Sequence, residues 1–141
     1  MVIANNARAS ELLDLDVQPA PNHVMVSQPL PNLELRGTLH HDRGYVYARE
    51  LDGRLLIGGG RQWASATPND TPQQLCNWAK NHIRGAQHME IQHHWVGTLG
   101  VGETREPVVA QIEHGLWAGV RMGGMGVALG ALVGQELADL L

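Results

Sequence analysis

Between Leu116 and Leu141 the chain reads as an apolar run, a cluster of glycines, and a longer run in which Val127, Leu129, Leu132, Val133, Leu137, Leu140 and Leu141 recur at helical spacing. The intervening Met122-Gly123-Gly124-Met125-Gly126 breaks both patterns. A strand must therefore end there, turn sharply and restart as a helix, which restricts the chain to folds that pack helix against sheet. Glycine supplies the left-handed backbone angles of such a turn and lets a ligand approach the main chain. The first amides of the helix point outward with the positive end of its dipole. Spacing alone leaves two readings open: an anionic or electron-rich group held at the turn, or glycines that only permit tight packing of helix on strand. Gly-Gly-x-Gly is not the dinucleotide fingerprint, because G-x-G-x-x-G belongs to a βαβ unit with an acidic residue about 20 positions on, and the sequence stops before that.

Composition narrows the classes. With 14 Asp and Glu against 10 Lys and Arg in 141 residues, the net charge is −4, which excludes a nucleic-acid binder held by a basic stripe. A hydrophobic share of 43% supports one core and argues against disorder. The single cysteine, Cys76, excludes an internal disulfide framework and any CxxC knuckle, and fits a reducing compartment. Gly is the outlier, since 17 in 141 is about 12% against a usual level of roughly 7%. The opening Met1-Val2-Ile3-Ala4-Asn5-Asn6 has neither the basic nor the apolar region of a signal peptide, so a cytoplasmic protein is expected. The longest apolar stretch, from Val127 to Leu141, is interrupted by Gln135, Glu136 and Asp139 and is too short to span a bilayer.

Local patterns predict the remaining elements. Residues 2–5 read as a short strand and Ala7 to Leu13 as one or two helical turns. Prolines at 19, 21, 29 and 31 confine the next regular element to a strand at 22–28. Gly44 to Glu50 alternates, Asp52-Gly53 is a tight-turn pair and Arg54 to Ile57 is apolar again, which together predict a hairpin. Thr71 is an N-cap candidate before Pro72, and Leu75, Trp78, Ala79, His82 and Ile83 follow at helical spacing, predicting a helix over 72–85 that stops near Gly85. A strand is expected at 89–99, and a second hairpin over 105–121 with its turn at Glu113-His114-Gly115. No repeat or low-complexity tract is present. The order predicts an α+β fold: a mostly antiparallel sheet with one packing helix, closed by the strand, glycine turn and helix.

Five segments, in order, resemble the FAD-dependent oxidoreductases of the D-amino-acid oxidase and glycine oxidase type. Val2-Ile3-Ala4-Asn5-Asn6-Ala7 is similar to that family's "viATNg" strand end, and Gln18-Pro19 with His23-Val24-Met25-Val26-Ser27-Gln28-Pro29 to its "P.rgqvlvt.P" segment. Gly44-Tyr45-Val46-Tyr47-Ala48-Arg49 with Asp52-Gly53-Arg54-Leu55-Leu56-Ile57-Gly58-Gly59 resembles its "yy.r...dgrlliGg" hairpin. Trp95-Val96-Gly97, Pro107 and Gly115-Leu116-Trp117-Ala118-Gly119 follow its "W.G...P...gl..a.G" run, and Gly123-Gly124-Met125-Gly126-Val127 its flavin-facing "G.GG.Gv".

The resemblance implies a flavin enzyme in which an amine, amino acid or hydroxy acid loses hydride to FAD, and oxygen or another acceptor takes the electrons. It implies that Gly123, Gly124, Met125, Gly126 and Val127 offer backbone amides to the pyrimidine end of the ring, where they would stabilise developing negative charge. Tyr45 and Tyr47 become substrate-lining candidates, with ordinary strand packing as the other reading. Many amine-oxidising relatives carry a carboxylate-clamping arginine shortly after Trp-x-Gly; here that position is Leu99, leaving Arg105, Arg121 or Arg61 to serve from elsewhere. The implied division is 1–20 as the end of an incomplete FAD-binding domain, 21–105 as a substrate-domain sheet and helix, and 106–141 as the strand, turn and helix facing flavin. The family's N-terminal βαβ unit would have to precede residue 1. Gly58-Gly59-Gly60 does not replace it, because residues 61–70 are polar and interrupted by proline. The expectation is therefore a C-terminal portion that binds FAD poorly alone and associates through open strand edges, with the missing half or with itself.

Other constellations are weaker. His40-His41 and His93-His94, with His88, could suggest a metal, but neighbours in a strand point to opposite faces, so hydrogen-bonded or solvated imidazoles are expected and no metal site. Cys76 lies near a helix start, where the dipole favours a thiolate, yet the pattern places it against the core. Glu11, Asp14 and Asp16 read as a solvated acidic face. Ser10, Ser27 and Ser65 lack a G-x-S-x-G setting, so a hydrolase has no support. Two function classes stand: the flavoenzyme portion, and a non-catalytic α+β interaction module derived from one.

Overall fold

The computed structural model describes residues 1–63 and 70–141. Eight strands and two α-helices follow the order β1 (Val2–Ile3), β2 (Gln18–Pro29), β3 (Thr38–His41), β4 (Val46–Leu51), β5 (Arg54–Gly59), α1 (Thr71–His82), β6 (Ile91–Val101), β7 (Val108–Glu113), β8 (Leu116–Val120) and α2 (Gly126–Asp139), with short 3-10 turns between. The fold is α+β. Two compact units are formed, one from residues 1–20 and 98–141 and the other from 21–97.

In the 21–97 unit a sheet runs in the order β3-β4-β5-β2-β6. The hairpin β4–β5 is set by Asp52 and Gly53, both with left-handed φ (50° and 73°), the geometry that matches the twist of the flanking strands. Alternate residues of β4, β5 and β2 put Val46, Ala48, Leu55, Ile57 and Met25 on one face, where they are buried with Leu75 and Ala79 of α1 and with Ile83 just beyond its end. Near Pro29 the β2–β5 register slips. There Ser27, fully buried, accepts the Leu55 amide on Oγ at 2.9 Å and donates to the Gln28 carbonyl at 2.7 Å, so the hydroxyl replaces a ladder partner that the slip removes.

Three sequence expectations need correction. Strand β2 begins at Gln18 rather than 22 and runs through Pro19 and Pro21. Its ladder with β5 starts only at His23, so neither proline is asked for a donor there. Helix α1 starts at Thr71 and ends at His82, with Asp70 in the cap position; Thr71 is buried, and its hydroxyl turns inward instead of capping. The stop comes early because Ile83 is already extended and its side chain is buried in the core. Strand β3 was not expected; Thr-Leu-His-His is too short and polar to show a period.

Within the 1–20 and 98–141 unit, β8 is flanked by β1, parallel, and β7, antiparallel. Ala118 and Val120 of β8 are buried with Ala9 and Val17, and Ile3, Leu13, Leu15, Val108 and Ile112 pack around them. Helix α2 buries Val133 and Leu137. A Cβ at Gly119 would lie 3.0 Å from Leu137 Cδ2 and 3.3 Å from Val133 Cγ1, so it is this strand glycine that allows the helix to sit close. Trp117 keeps its indole N–H buried without a partner among the described residues. None of the described helices is long and apolar enough to cross a membrane.

The His40–His41 pair is split across faces as expected of a strand. The His41 ring is tilted against Trp78 (5.1 Å between ring centroids), whereas His40 faces Tyr47 (6.4 Å). His94 of β6 meets His23 of β2, Nδ1 of His23 lying 3.0 Å from Nε2 of His94 with the rings stacked. A hydrogen bond between two imidazoles needs one neutral acceptor nitrogen. Burial first, and the His94 ring second, push the His23 pKa below its ordinary value of 6.5. Gly59, opposite His23 on β5, brings no charge.

Two predictions follow from this packing. Leu75→Ala, which empties a fully buried site under α1, should cost about 2–5 kcal/mol in chemical denaturation of the chain. Because the folded state disfavours protonated His23, the folded chain binds fewer protons than the unfolded one just below 6.5. Stability should be full above that pH and fall as pH is lowered through it. Melting followed by circular dichroism at about pH 7.5 and about pH 5.5 measures this, and His23→Gln should flatten the difference.

Candidate functional site

The glycine turn joins β8 to α2 in the 1–20 and 98–141 unit. Gly123 and Gly124 have φ of 57° and 91°, which explains the residue type without any appeal to packing. A Cβ at Gly123 would meet nothing, and one at Gly124 would touch only Leu99 at 3.4 Å. Tight helix-on-strand packing is thus served by Gly119, not by the turn.

Two amides of the turn are used internally: Gly123 N–H donates to the Gly100 carbonyl (2.9 Å) and Met125 N–H to the Met122 carbonyl (2.7 Å). Those of Gly124, Gly126 and Val127 make no backbone hydrogen bond among the described residues. Val127 is fully exposed, so its amide lies in the open first turn of a 14-residue helix. Three N–H groups without a partner among the described residues thus stand at the positive end of that helix, an arrangement that attracts an anionic or electron-rich group.

The entry to the turn is held from several directions. Met122 N–H donates to Asn6 Oδ1 at 3.0 Å. Arg121, itself at a left-handed φ of 63°, aims its guanidinium back into the unit. Nε donates to the Glu106 carbonyl (2.9 Å), Nη1 to the Asp16 carbonyl (3.1 Å) and carboxylate (2.6 Å), and Nη2 to Thr104 Oγ1 (3.0 Å). Its side chain is only 12% exposed. Asp16, expected on a solvated face, is instead the ionic partner of Arg121 and also accepts the Glu103 amide at 2.9 Å.

The other named residues lie as follows. Arg105 is exposed in the same unit as the turn. Leu99, at the position where relatives would carry a clamp arginine, packs beside Gly124. Tyr45 and Tyr47 belong to the 21–97 unit. The Arg61 guanidinium carbon sits 4.7 Å above the Tyr45 ring. Tyr47 lies flat over Gly58, where a Cβ would be 2.4 Å from the phenol, and its oxygen accepts Asn22 Nδ2 at 3.0 Å. Cys76 is half-buried against the core, and burial raises its thiol pKa against the opposing pull of Lys80. Among the described residues no three His, Cys, Asp or Glu side chains gather as metal ligands. Ser65 lies outside the described residues.

Sequence reasoning singled out the turn, but not Asn6, Asp16, Gly102 or Thr104, which hold it. Asp16 and Arg121 are 105 positions apart, and nothing local marks either as a partner.

The family model described as "FAD dependent oxidoreductase" (DAO) matches residues 1–140. The probable oxidoreductase OrdL of Rhizobium meliloti (strain 1021) is 27% identical over 94 residues, covering 67% of this chain and 22% of that protein. Among solved structures, iminodiacetate oxidase (IdaA) from Chelativorans sp. BNC1 superposes with a TM-score of 0.72 at 18% identity, covering 97% of this chain and 40% of that one. Glycine oxidase from Geobacillus kaustophilus does so with a TM-score of 0.69 at 25% identity, covering 99% and 40%. The chain thus spans at most about two fifths of the length of these relatives. With the match running over nearly every residue and the solved folds agreeing, the chain belongs to the DAO family of FAD-dependent oxidoreductases.

Proposed function

We propose that the chain is the flavin-facing and substrate-domain portion of an oxidoreductase that takes a hydride from a small amine, amino acid or hydroxy acid. The observation that carries this is the set of amides at Gly124, Gly126 and Val127, at the start of a helix and without a partner among the described residues. When bound, FAD supplies the hydride acceptor for the carbon that bears the amine or hydroxyl group. The chain's part is electrostatic and positional. Within the turn from Gly123 to Val127, the unpartnered amides of Gly124, Gly126 and Val127 would offer main-chain dipoles to the pyrimidine end of the ring, where they would stabilise the negative charge of reduction without reorganising. The phenols of Tyr45 and Tyr47 are the substrate-lining candidates, and Arg105, in the unit that holds the turn, is the candidate partner of a substrate carboxylate.

Since the chain covers about 40% of the solved relatives, the remainder of the flavoenzyme is further polypeptide. Helix α2 offers a surface for it: Val127 and Leu132 face solvent opposite the buried Val133 and Leu137, a pattern unusual for a helix with one polar side. On this reading the chain alone turns over no substrate and holds FAD weakly, and two copies pair through the same surface only in the absence of the complementary part.

The test is absorbance after gel filtration. The purified chain, mixed with FAD alone, should emerge nearly colourless. Mixed with FAD and the complementary portion of the Geobacillus kaustophilus glycine oxidase, it should carry the visible flavin bands. A protein that stays colourless in both mixtures would instead favour the non-catalytic interaction module.

A further inference from the structure

We propose that Arg121 is the positioning residue of the glycine turn: its guanidinium, locked onto Asp16, Thr104 and the Glu106 carbonyl, fixes the backbone from which Gly124, Gly126 and Val127 present their amides. This rests on the reading of that turn as flavin-facing, but the lock itself is a property of the chain.

A guanidinium has five N–H donors in a planar fork. Four hydrogen bonds use them here, to acceptors on two separate stretches of chain: Asp16 just before β2, and Thr104 and Glu106 in the connection from β6 to β7. The carboxylate bond is 2.6 Å and the arginine side chain is 12% exposed, so the guanidinium is largely shielded from water although Asp16 keeps one side open to it. The main chain at Arg121 is left-handed, a conformation that a non-glycine residue holds only when its surroundings enforce it. The side chain is that enforcement. Releasing it frees the residue directly before Met122 and Gly123, whose amides are tied to Asn6 Oδ1 and the Gly100 carbonyl.

Gly102 completes the lock. A Cβ there would lie 2.6 Å from both Arg121 Cδ and Asp16 Oδ2, and 2.7 Å from the Asp16 carbonyl oxygen, so no larger residue fits without displacing the pair. An arginine in this state has one N–H left and is committed to shape. Its role is therefore to place the amides rather than to touch substrate.

Residue-resolved hydrogen exchange of the purified chain tests the idea. Arg121→Gln should speed exchange at Met122 and Gly123 by roughly tenfold to a hundredfold, the effect of losing a charge-assisted bond from a local opening, while Ala110 and Ala118 of the β7–β8 ladder keep their wild-type rates. Gly102→Ala, which keeps the arginine in the sequence but pushes it off Asp16, should give the same local pattern. Arg121→Lys keeps the charge but not the fork and should fall between. Unchanged rates at Met122 and Gly123 in Arg121→Gln would overturn the proposal. So would an equal acceleration at Ala110 and Ala118, which marks a general loss of stability, or full protection in Arg121→Lys. FAD titration of the same samples in the presence of the complementary portion reports separately on the flavin reading. Local exchange that responds while no flavin binds keeps the lock and discards the cofactor.

Discussion

Strand β8 takes partners on both sides from distant parts of the chain, parallel from β1 and antiparallel from β7, and carries α2 across one face. A parallel neighbour cannot be reached by a tight turn, so the first residues of the chain and the last strand must find each other through everything between them. The Trp117 amide donates to the Met1 carbonyl, which carries the β1–β8 ladder one residue further. The glycine turn lies directly beyond this strand. Its placement is thus set by a pairing that only the whole unit can make, with Asn6 and Gly100 bonding to the turn from the two sides.

What the sequence revealed divides by range. The β4–β5 hairpin was legible because Asp52-Gly53 and its flanking alternation are local and mutually consistent. The body of α1 was legible for the same reason, through Leu75 and Ala79, whereas Ile83, which fits the same spacing, lies beyond the helix end. Its first residue was not, because Thr71 before Pro72 satisfies the sequence rule for a cap, while the unit buries the threonine instead. The early start of β2 was hidden too: proline removes a donor, but whether that matters depends on where the neighbouring ladder begins.

At the site the contrast is sharper. Glycines at 123 and 124 announce a special backbone, and the structure supplies the angles that require them. The side chains that hold this backbone come from Asn6, Asp16 and Thr104, types that are common on any surface and carry no periodic signal. Asp16 in particular looked like one of several solvated acids. Its pairing is a tertiary fact, and only the fold brings a cation to it.

The distribution of tryptophan gives the two units separate optical voices. Trp63, Trp78 and Trp95 belong to the 21–97 unit, whereas Trp117 stands by itself in the other. Its buried, unpaired indole N–H places the chromophore in an apolar setting, and any water or polar group that reached it would gain a hydrogen bond. A chain that retains Trp117 and carries phenylalanine at the other three positions would therefore emit light that follows the β8 unit alone, and the colour of that light would register solvent reaching the strand beside the turn.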